Sequence, residues 1–212
     1  MYSPASDINR KAAYNMGKIF FISGKSSTGK DTIYKKLLED GSLGLKKITM
    51  YTTRPKRSGE QDGEEYFFVD DDEAVRHECD GSIVEIRIYN TVYGPWKYYT
   101  RNDGQINLDG KENYLALGTI EAYSKYCEYF GKDRVCPIYI EVDDGTRLRR
   151  ALERECRQEK PQYREMCRRY IADEDDFSEE NMRQCGITKR FVNDKLEDCI
   201  AEIREYIVQC SK

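Results

Sequence analysis

The sequence predicts an α/β protein in which a parallel sheet is flanked by helices. A short apolar run at residues 18–23 is typical of a buried parallel strand. A glycine-bounded turn at 24–29 and a helical pattern at 30–40 follow this run. Beyond residue 113, predicted strands alternate with helices of about 10–15 residues, and this alternation favours βαβ units.

The elements after residue 113 follow one another in order. Strands are predicted at 113–117, 135–142 and 187–192, and helices at 119–129, 144–159, 163–182 and 195–208. The segment 46–112 differs, because only two short strands, at 66–69 and 82–89, interrupt a polar stretch. Its last part, 97–112, carries turn signals and is expected to hold little regular structure. This middle segment therefore predicts a small α+β subdomain.

Composition excludes several classes of protein. The 212 residues suit one domain, and no apolar stretch approaches the ~20 residues that a membrane-spanning helix needs. A net charge of −4 argues against a nucleic-acid polymer as partner. Residues 1–16 lack an apolar signal sequence, so we expect a flexible tail there and a cytoplasmic protein. We also expect the protein to be a monomer or a homodimer. The single histidine, His77, cannot form a multi-histidine metal site, and we expect it at the surface.

The most specific motif is G-x-x-x-x-G-K, which lies between the first predicted strand and the first predicted helix. Its glycines let backbone N–H groups converge on phosphate oxygens, and Lys30 reaches the β- and γ-phosphates. The candidate ATP-binding residues of this segment are Gly24, Ser26, Ser27, Thr28, Gly29, Lys30, Asp31 and Thr32. This context predicts a core of the P-loop NTPase type; the alternative is an ordinary glycine-rich turn.

The residue after Lys30 departs from the usual motif, which has serine or threonine there. Asp31 takes that place, and Thr32 follows it. We expect Thr32 to supply the hydroxyl that binds Mg²⁺. Asp31 is expected to face the water shell of the metal, because a carboxylate beside a triphosphate is otherwise repelled.

Two basic clusters are candidates for further phosphate binding. One loop carries Arg54, Lys56 and Arg57, and arginine binds phosphate oxygens bidentately. This loop is either an anion cradle or a solvated basic loop. Arg150 and Arg154 share a helix face in an arginine-rich segment, which is either a charged helical hairpin or a lid over transferring phosphates.

These parts occur in the order found in the guanylate kinase family, which the chain resembles over residues 17–208. The resemblance rests on the phosphate loop, the stretch T-T-R-P-K-R-S-G-E-Q-D-G-E-E-Y-F-F-V, a Glu followed by Tyr-Gly, the arginine-rich segment and a late V-N-D. It implies the fold of a P-loop nucleoside monophosphate kinase. It also implies phosphorylation of GMP or dGMP by ATP, with Mg²⁺ as cofactor.

The resemblance implies three groups of site residues. Those that hold the acceptor GMP would be Arg54, Arg57, Tyr66, Glu85 and Tyr93. The catalytic residues, which act on the transferring phosphates, would be Lys30, Arg150, Arg154 and Arg169. Asn193 and Asp194 would lie near the adenine of ATP, or else form only a turn before the last helix. Glu85 would accept hydrogen bonds from the N1–H and N2–H₂ groups of guanine, or else face solvent from its strand.

The same resemblance implies a division of the chain. A flexible tail, 1–16, precedes a single domain, 17–212. The core of that domain comprises 17–45, 113–149 and 187–212, the acceptor-binding subdomain comprises 46–112, and the lid comprises 150–186.

Three positions depart from the family pattern. Met50 stands where the family has a serine that helps to read guanine, and Pro95 stands where Ser or Thr follows Tyr-Gly. Leu117 replaces the first aspartate of an acidic pattern. Two alternatives therefore stay open: a related kinase with another phosphorylated acceptor, such as ribose 1,5-bisphosphate, and a non-catalytic module that binds phosphopeptides.

Overall fold

The structure of the protein is a computed structural model, which describes residues 16–91 and 93–212. Of the predicted flexible tail only Met16 lies in these ranges, so the prediction for residues 1–15 falls outside the described residues. In chain order the strands are β1 (Ile19–Ser23), β2 (Leu45–Lys47), β3 (Tyr51–Thr52), β4 (Phe67–Phe68), β5 (Ile83–Thr91), β6 (Gly94–Arg101), β7 (Asn113–Leu117), β8 (Val135–Glu141) and β9 (Arg190–Val192). The helices are α1 (Lys30–Glu39), α2 (Asp71–Cys79), α3 (Ile120–Phe130), α4 (Asp144–Cys156), α5 (Tyr163–Asp176), α6 (Glu179–Cys185) and α7 (Leu196–Cys210).

The larger sheet, called the main sheet below, has five parallel strands in the order β2-β7-β1-β8-β9. β1 lies at its centre, and all of its residues are buried, as expected of a strand that is covered on both faces. The predicted α/β fold with a parallel sheet flanked by helices is therefore confirmed.

The two faces of the main sheet are covered by different helices. Phe20 of β1 packs in a cluster with Ile33 of α1 and Ile203 of α7. Phe21, the next residue, points to the other face and packs with Tyr123 of α3 and with residues of α6. This alternation follows from the two-residue period of a strand, and it produces the three-layer arrangement that the apolar run at 18–23 predicts.

Two polar helices, α4 and α5, pack against each other. The sequence predicts one helix over 163–182, but the structure has two, because α5 ends at Asp176 and α6 begins at Glu179. The physical reason is a cap: the Ser178 hydroxyl accepts a hydrogen bond from the backbone N–H of Asn181. A serine at this position ends one helix and starts the next.

A second sheet, with the strand order β4-β3-β6-β5, lies within the middle segment. Two expectations for this segment were wrong. Residues 97–101, expected to be irregular, belong to β6, whose aromatic and β-branched side chains favour a strand. The helix α2 was not foreseen, although Asp70 caps it by accepting a hydrogen bond from the backbone N–H of Glu73.

His77 lies on the buried face of α2, which contradicts its expected place at the surface. Its side chain is only 7% exposed, and its Nδ1 atom lies 2.9 Å from the Tyr99 hydroxyl. The expectation failed because α2 itself was missed, and a helix turns His77 to the same side as Ala74.

The main sheet includes residues 46 and 47, which the predicted division assigns to the acceptor-binding subdomain and not to the core. β2 ends at Lys47 and pairs with β7, whereas the division starts its middle part at residue 46. In the part of the chain that the structure describes, the helices are all too short or too polar to cross a bilayer.

Replacement of Ile203 by alanine is expected to lower the free energy of unfolding by about 2–5 kcal/mol. Ile203 is fully buried between α7 and the main sheet, so its truncation leaves a cavity. Val208→Ala on the same helix is the matched control, because Val208 is 46% exposed and should cost at most about 0.5 kcal/mol. Urea-induced unfolding compares the three proteins, and equal losses would show that the buried face of α7 is wrongly assigned.

Candidate active site

The phosphate loop, residues 24–29, joins β1 to α1 with an unusual backbone. Gly24 and Gly29 both have positive φ angles. Ser27, at φ 66°, is the one non-glycine residue with a positive φ among those described. Backbone strain of this kind costs of order 1–3 kcal/mol and concentrates at functional sites. Since the loop ends at the N-terminus of α1, its N–H groups and the helix dipole suit an anion.

Asn193, at the end of β9, holds this loop in place. Its buried amide donates a 2.8 Å hydrogen bond to the Thr28 carbonyl oxygen, and the Thr28 hydroxyl donates to the Lys25 carbonyl oxygen at 2.9 Å. Arg150 in turn donates to the Asn193 carbonyl oxygen at 3.3 Å. The structure thus brings Asn193 and Arg150 to the phosphate loop, with Asp194 exposed beside them.

The first turn of α1 carries Lys30, Asp31 and Thr32. Lys30 is half-buried and forms no ion pair with any of the described residues, whereas Asp31 and Thr32 are exposed. The hydroxyl oxygen of Ser27 is buried without a hydrogen-bond partner. An unpaired buried hydroxyl beside an unpaired lysine, at a helix N-terminus, fits a bound phosphate group with its metal ion.

Helix α5 touches the phosphate loop through acidic side chains that the sequence interpretation missed. Asp173 accepts a 2.7 Å hydrogen bond from the backbone N–H of Ser26, and Glu174 forms a 2.6 Å ion pair with Lys25. Glu174 also pairs at 3.0 Å with Arg147, which is fully buried. No local signal could have found these contacts, because Asp173 is 147 residues away from Ser26 in the chain.

Two of the predicted lid arginines line one small cavity with the loop. Arg154 and Arg169, together with Ser26 and Ser27, border a cavity of about 160 Å³. Arg169 donates a 2.8 Å hydrogen bond to Glu165. The hydrogen bonds from Arg168 and Arg169 lower the pKa of the Glu165 carboxyl to about 2, so this anion stays charged at any physiological pH. The cavity therefore brings two arginines, Arg154 and Arg169, and the carboxylate of Glu165 next to the phosphate loop.

The basic loop of the middle segment is organised by Glu60. The buried Arg54 guanidinium donates two hydrogen bonds to the Glu60 carboxylate, at 3.0 and 2.7 Å, and the backbone N–H of Arg57 donates a third. These bonds, that of Arg54 foremost, lower the pKa of the Glu60 carboxyl. Arg54 also lies 5.6 Å from the centre of the Tyr66 ring. Arg54 and Tyr66 are thus together, while the Arg57 side chain is exposed.

Glu85 faces the interior, so the alternative of a solvent-facing strand residue is wrong. It is 4% exposed, and its carboxylate accepts hydrogen bonds from Arg87 at 3.1 Å and from the Thr100 hydroxyl at 3.1 Å. The Tyr126 hydroxyl donates to Thr100 in turn, at 2.9 Å. Arg87 was missed by the sequence interpretation, although it lies two residues beyond Glu85 in a strand and hence on the same face.

Tyr93 lies apart from this group. Its side chain is 83% exposed, and its ring stacks on Trp96 with the ring centres 6.2 Å apart. Pro95 is exposed at the same end of β6. Of the predicted acceptor residues, the structure therefore brings Arg54 and Tyr66 together and leaves Tyr93 outside.

A cavity of about 150 Å³ lies between the carboxyl end of β7 and the segments that precede β3 and β4. Its lining includes Met50, Tyr66, Tyr126 and Leu117. Leu117 pairs in register with Ile22, so this cavity opens beside the start of the phosphate loop at the carboxyl edge of the parallel sheet. Ligands bind at that edge in open α/β sheets. Two of the three positions that depart from the family pattern thus line the same cavity.

Replacement of Gly29 by alanine should cost more stability than replacement of Gly104, although both residues have positive φ. A Cβ atom at Gly29 would lie 2.7 Å from the Asn193 amide, whereas one at Gly104 meets open space. We expect both changes to cost about 1–2 kcal/mol of backbone strain. Gly29→Ala should lose about 1 kcal/mol more, as the Asn193 hydrogen bond breaks. Equal losses in urea unfolding would mean that Asn193 does not brace the loop.

Comparison with known proteins agrees with this geometry. The family model described as "Guanylate kinase" matches residues 16–116. A guanylate kinase of Anaplasma phagocytophilum is 31% identical over 138 residues, which cover 65% of this chain and 64% of that protein. A guanylate kinase of Porphyromonas gingivalis is 29% identical over 197 residues, which cover 92% of this chain and 98% of that protein.

A solved structure extends the likeness to the fold. The crystal structure of guanylate kinase from Anaplasma phagocytophilum superposes with a TM-score of 0.61 at 22% identity, covering 92% of this chain and 86% of that one. The chain is thus similar in sequence to guanylate kinases and has the fold of a guanylate kinase.

Proposed function

We propose that the protein transfers the γ-phosphoryl group of ATP to a nucleoside monophosphate, GMP or dGMP, and produces ADP with GDP or dGDP. One observation carries the proposal: the cavity lined by Tyr66, Tyr126 and Leu117 lies at the carboxyl edge of the main sheet, where Leu117 pairs with Ile22 just before the phosphate loop. A donor phosphate on the loop and an acceptor in the cavity would therefore be neighbours.

On the donor side, the residues that would hold ATP are Gly24, Ser26, Ser27, Thr28, Gly29, Lys30 and Asn193. Lys30, which has no ionic partner among the described residues, is free to reach the β- and γ-phosphates. Thr32 and Asp31 would hold Mg²⁺, directly or through water, since both are exposed in the first turn of α1. Mg²⁺ bound with ATP neutralises charge on the phosphate oxygens.

On the acceptor side, Arg54, Arg57 and Tyr66 would bind the phosphate dianion. Arg54 is already paired with Glu60, and this pairing fixes the guanidinium in one orientation. Glu85 would accept hydrogen bonds from the N1–H and N2–H₂ groups of guanine, an edge that adenine lacks. Tyr93 can join this group only if the end of β5 and β6 moves, because its ring is exposed on Trp96.

The transfer itself needs no general base. The acceptor phosphate oxygen is already a nucleophile, so catalysis consists of positioning and of stabilising charge on the transferred group. Lys30, Arg150, Arg154 and Arg169 would provide that positive charge. The common cavity of Arg154, Arg169, Ser26 and Ser27 supports this role.

These roles correspond to the predicted division of the domain into a core, an acceptor-binding subdomain and a lid. Residues 46–112 would bind the acceptor, 150–186 would close as a lid, and the remaining described residues would form the core. We propose a cytoplasmic monomer or homodimer that acts on small-molecule substrates, without a nucleic-acid polymer or a membrane as partner. The net charge of −4 supports the absence of a nucleic-acid partner.

A second candidate function has one observation in its favour. Met50 and Leu117 make part of the acceptor cavity apolar at positions where the family carries polar groups. A related kinase with another phosphorylated acceptor, such as ribose 1,5-bisphosphate, is therefore the alternative. A non-catalytic phosphopeptide-binding module is a weaker one, because the glycines and Lys30 of the phosphate loop are intact.

A coupled assay of ADP release with Mg-ATP separates these functions. GMP, dGMP, AMP, UMP, CMP and ribose 1,5-bisphosphate are offered in parallel, and we expect turnover with GMP and dGMP alone. Turnover with another acceptor would replace the proposed substrate. Silence with all six, together with measurable ATP binding, would favour the binding module.

Lys30→Met should reduce kcat at least ~10²-fold, as loss of one preorganised cation at the transferring phosphate does in other enzymes. Lys35→Met is the matched control, since Lys35 is an exposed lysine on the same helix. The control should keep wild-type kcat in the ADP-release assay. Near-normal turnover by Lys30→Met would refute the donor site.

Arg54→Ala should raise the KM for the acceptor about tenfold or more and leave the KM for ATP within about twofold, because it removes a charged hydrogen-bond donor to the acceptor phosphate. Lys56→Ala, an exposed neighbour on the same loop, is the control and should change neither constant. If ATP binding weakened while acceptor binding held, the two subsites would be exchanged.

A further inference from the structure

Arg87 stands in the base-side part of the acceptor site without a role in the proposed transfer. It lies two residues after Glu85 on β5, so both side chains emerge on one face of the strand. Its Nε atom donates to Glu85 Oε2 at 3.1 Å, and its Nη2 atom lies 3.4 Å from Glu85 Oε1. A cation and an anion are therefore presented side by side.

This pair lies one residue behind the wall of the acceptor cavity, because each member is in contact, directly or through Thr100, with a residue that lines it. The Nη2 atom of Arg87 lies 3.4 Å from the sulfur of Met50, and Met50 lines the cavity. The Tyr126 hydroxyl, on another wall, reaches Glu85 through Thr100. The Arg87 side chain keeps 21% of its surface exposed, whereas that of Glu85 keeps 3%. Arg87 is thus the more accessible member of the pair.

The Arg87 donors are available for a ligand. A thioether sulfur is a weak acceptor, so a carbonyl oxygen can replace the contact with Met50 at a gain. Burial alone would lower the pKa of Arg87, but the neighbouring Glu85 carboxylate raises it, so the guanidinium stays charged. Behind the Met50 and Tyr126 side chains of the cavity wall, one acceptor-only group, Glu85, thus lies beside one donor-only group, Arg87.

The six-membered ring of guanine matches this pair. Its N1–H and N2–H₂ groups are donors, and O6 beside them is an acceptor. Adenine in the same pose would turn its N6 amino group to the guanidinium and its N1 lone pair to the carboxylate, two mismatches at once.

We propose that Arg87 is a specificity-determining residue, whose guanidinium donates a hydrogen bond to the 6-oxo group of the purine acceptor while Glu85 accepts from N1–H and N2–H₂. This inference rests on the proposed function, since it concerns the GMP that the kinase would phosphorylate. It assigns to Arg87 the recognition of O6, next to a cavity wall that Met50 and Leu117 leave apolar.

The test compares GMP with 6-thioguanosine monophosphate, in which sulfur, a weaker acceptor, replaces O6. The wild type should prefer GMP by about 10- to 100-fold in kcat/KM, the range expected for one hydrogen bond to a charged group. In Arg87→Met the two acceptors should have about equal kcat/KM values, so that the preference disappears. The KM for ATP should not change. Arg87→Lys, which keeps a cation beside Glu85, should retain part of the preference.

Two controls separate recognition from support of the fold. Arg101→Met removes an arginine of the same sheet that pairs with Asp80, away from the cavity, and should keep the wild-type preference. IMP keeps O6 and N1–H but lacks the 2-amino group, so the preference for GMP over IMP reports the contact of N2–H₂ with Glu85. That preference should not change in Arg87→Met.

The outcomes are distinct. A wild-type enzyme that ignores GMP refutes the proposed function and this inference with it. A wild type that uses GMP, with an unchanged preference over the thio analogue in Arg87→Met, refutes the inference alone, even if the KM for GMP rises. If Arg87→Met does not fold, the ratio of kcat/KM for GMP to kcat/KM for the thio analogue is measured in Arg87→Lys instead. A ratio in Arg87→Lys as large as that of the wild type would overturn the assignment.

Discussion

The hydrogen bond from the Asn193 amide to the Thr28 carbonyl oxygen is the contact on which the site depends. It ties the phosphate loop, near the start of the described chain, to the end of β9. Because φ at residue 29 is positive and a Cβ atom there would lie 2.7 Å from the Asn193 amide, glycine is favoured at this position. Arg150 then binds the Asn193 carbonyl oxygen, so α4 is positioned by the same residue. One amide thus aligns a strand, a loop and a helix.

The second sheet is attached to the main sheet by a chain of polar contacts. Glu85 on β5 accepts from Thr100 on β6, and Thr100 accepts from Tyr126 on α3, a helix of the main-sheet layer. Tyr126 is buried, and burial raises the pKa of its phenol, so it stays a neutral donor. This chain runs beside the acceptor cavity, and the groups that shape the cavity are therefore also the groups that join the two sheets.

The parts of the fold that could be predicted from the sequence are those with a local cause. The run at 18–23, the glycines after it and the helical pattern of α1 lie within one short segment, and the structure has each of them. The misses have non-local causes. β6 is stabilised by its pairing with β5. The turn-forming residues that follow β6 make the whole segment 97–112 look irregular in the sequence. Asp173 reaches Ser26 only because α5 folds back over the loop, and no spacing in the sequence encodes that approach.

The stacked pair of Tyr93 and Trp96 has a consequence for how motion in this protein can be followed. Trp96 is the single tryptophan of the sequence, and it lies on β6 in the second sheet, away from the phosphate loop. Indole emission depends on exposure to water and on stacking with a neighbouring ring. Excitation at a wavelength that indole absorbs and phenol does not therefore gives emission from Trp96 alone, and this emission reports on the second sheet without a contribution from the 17 tyrosines.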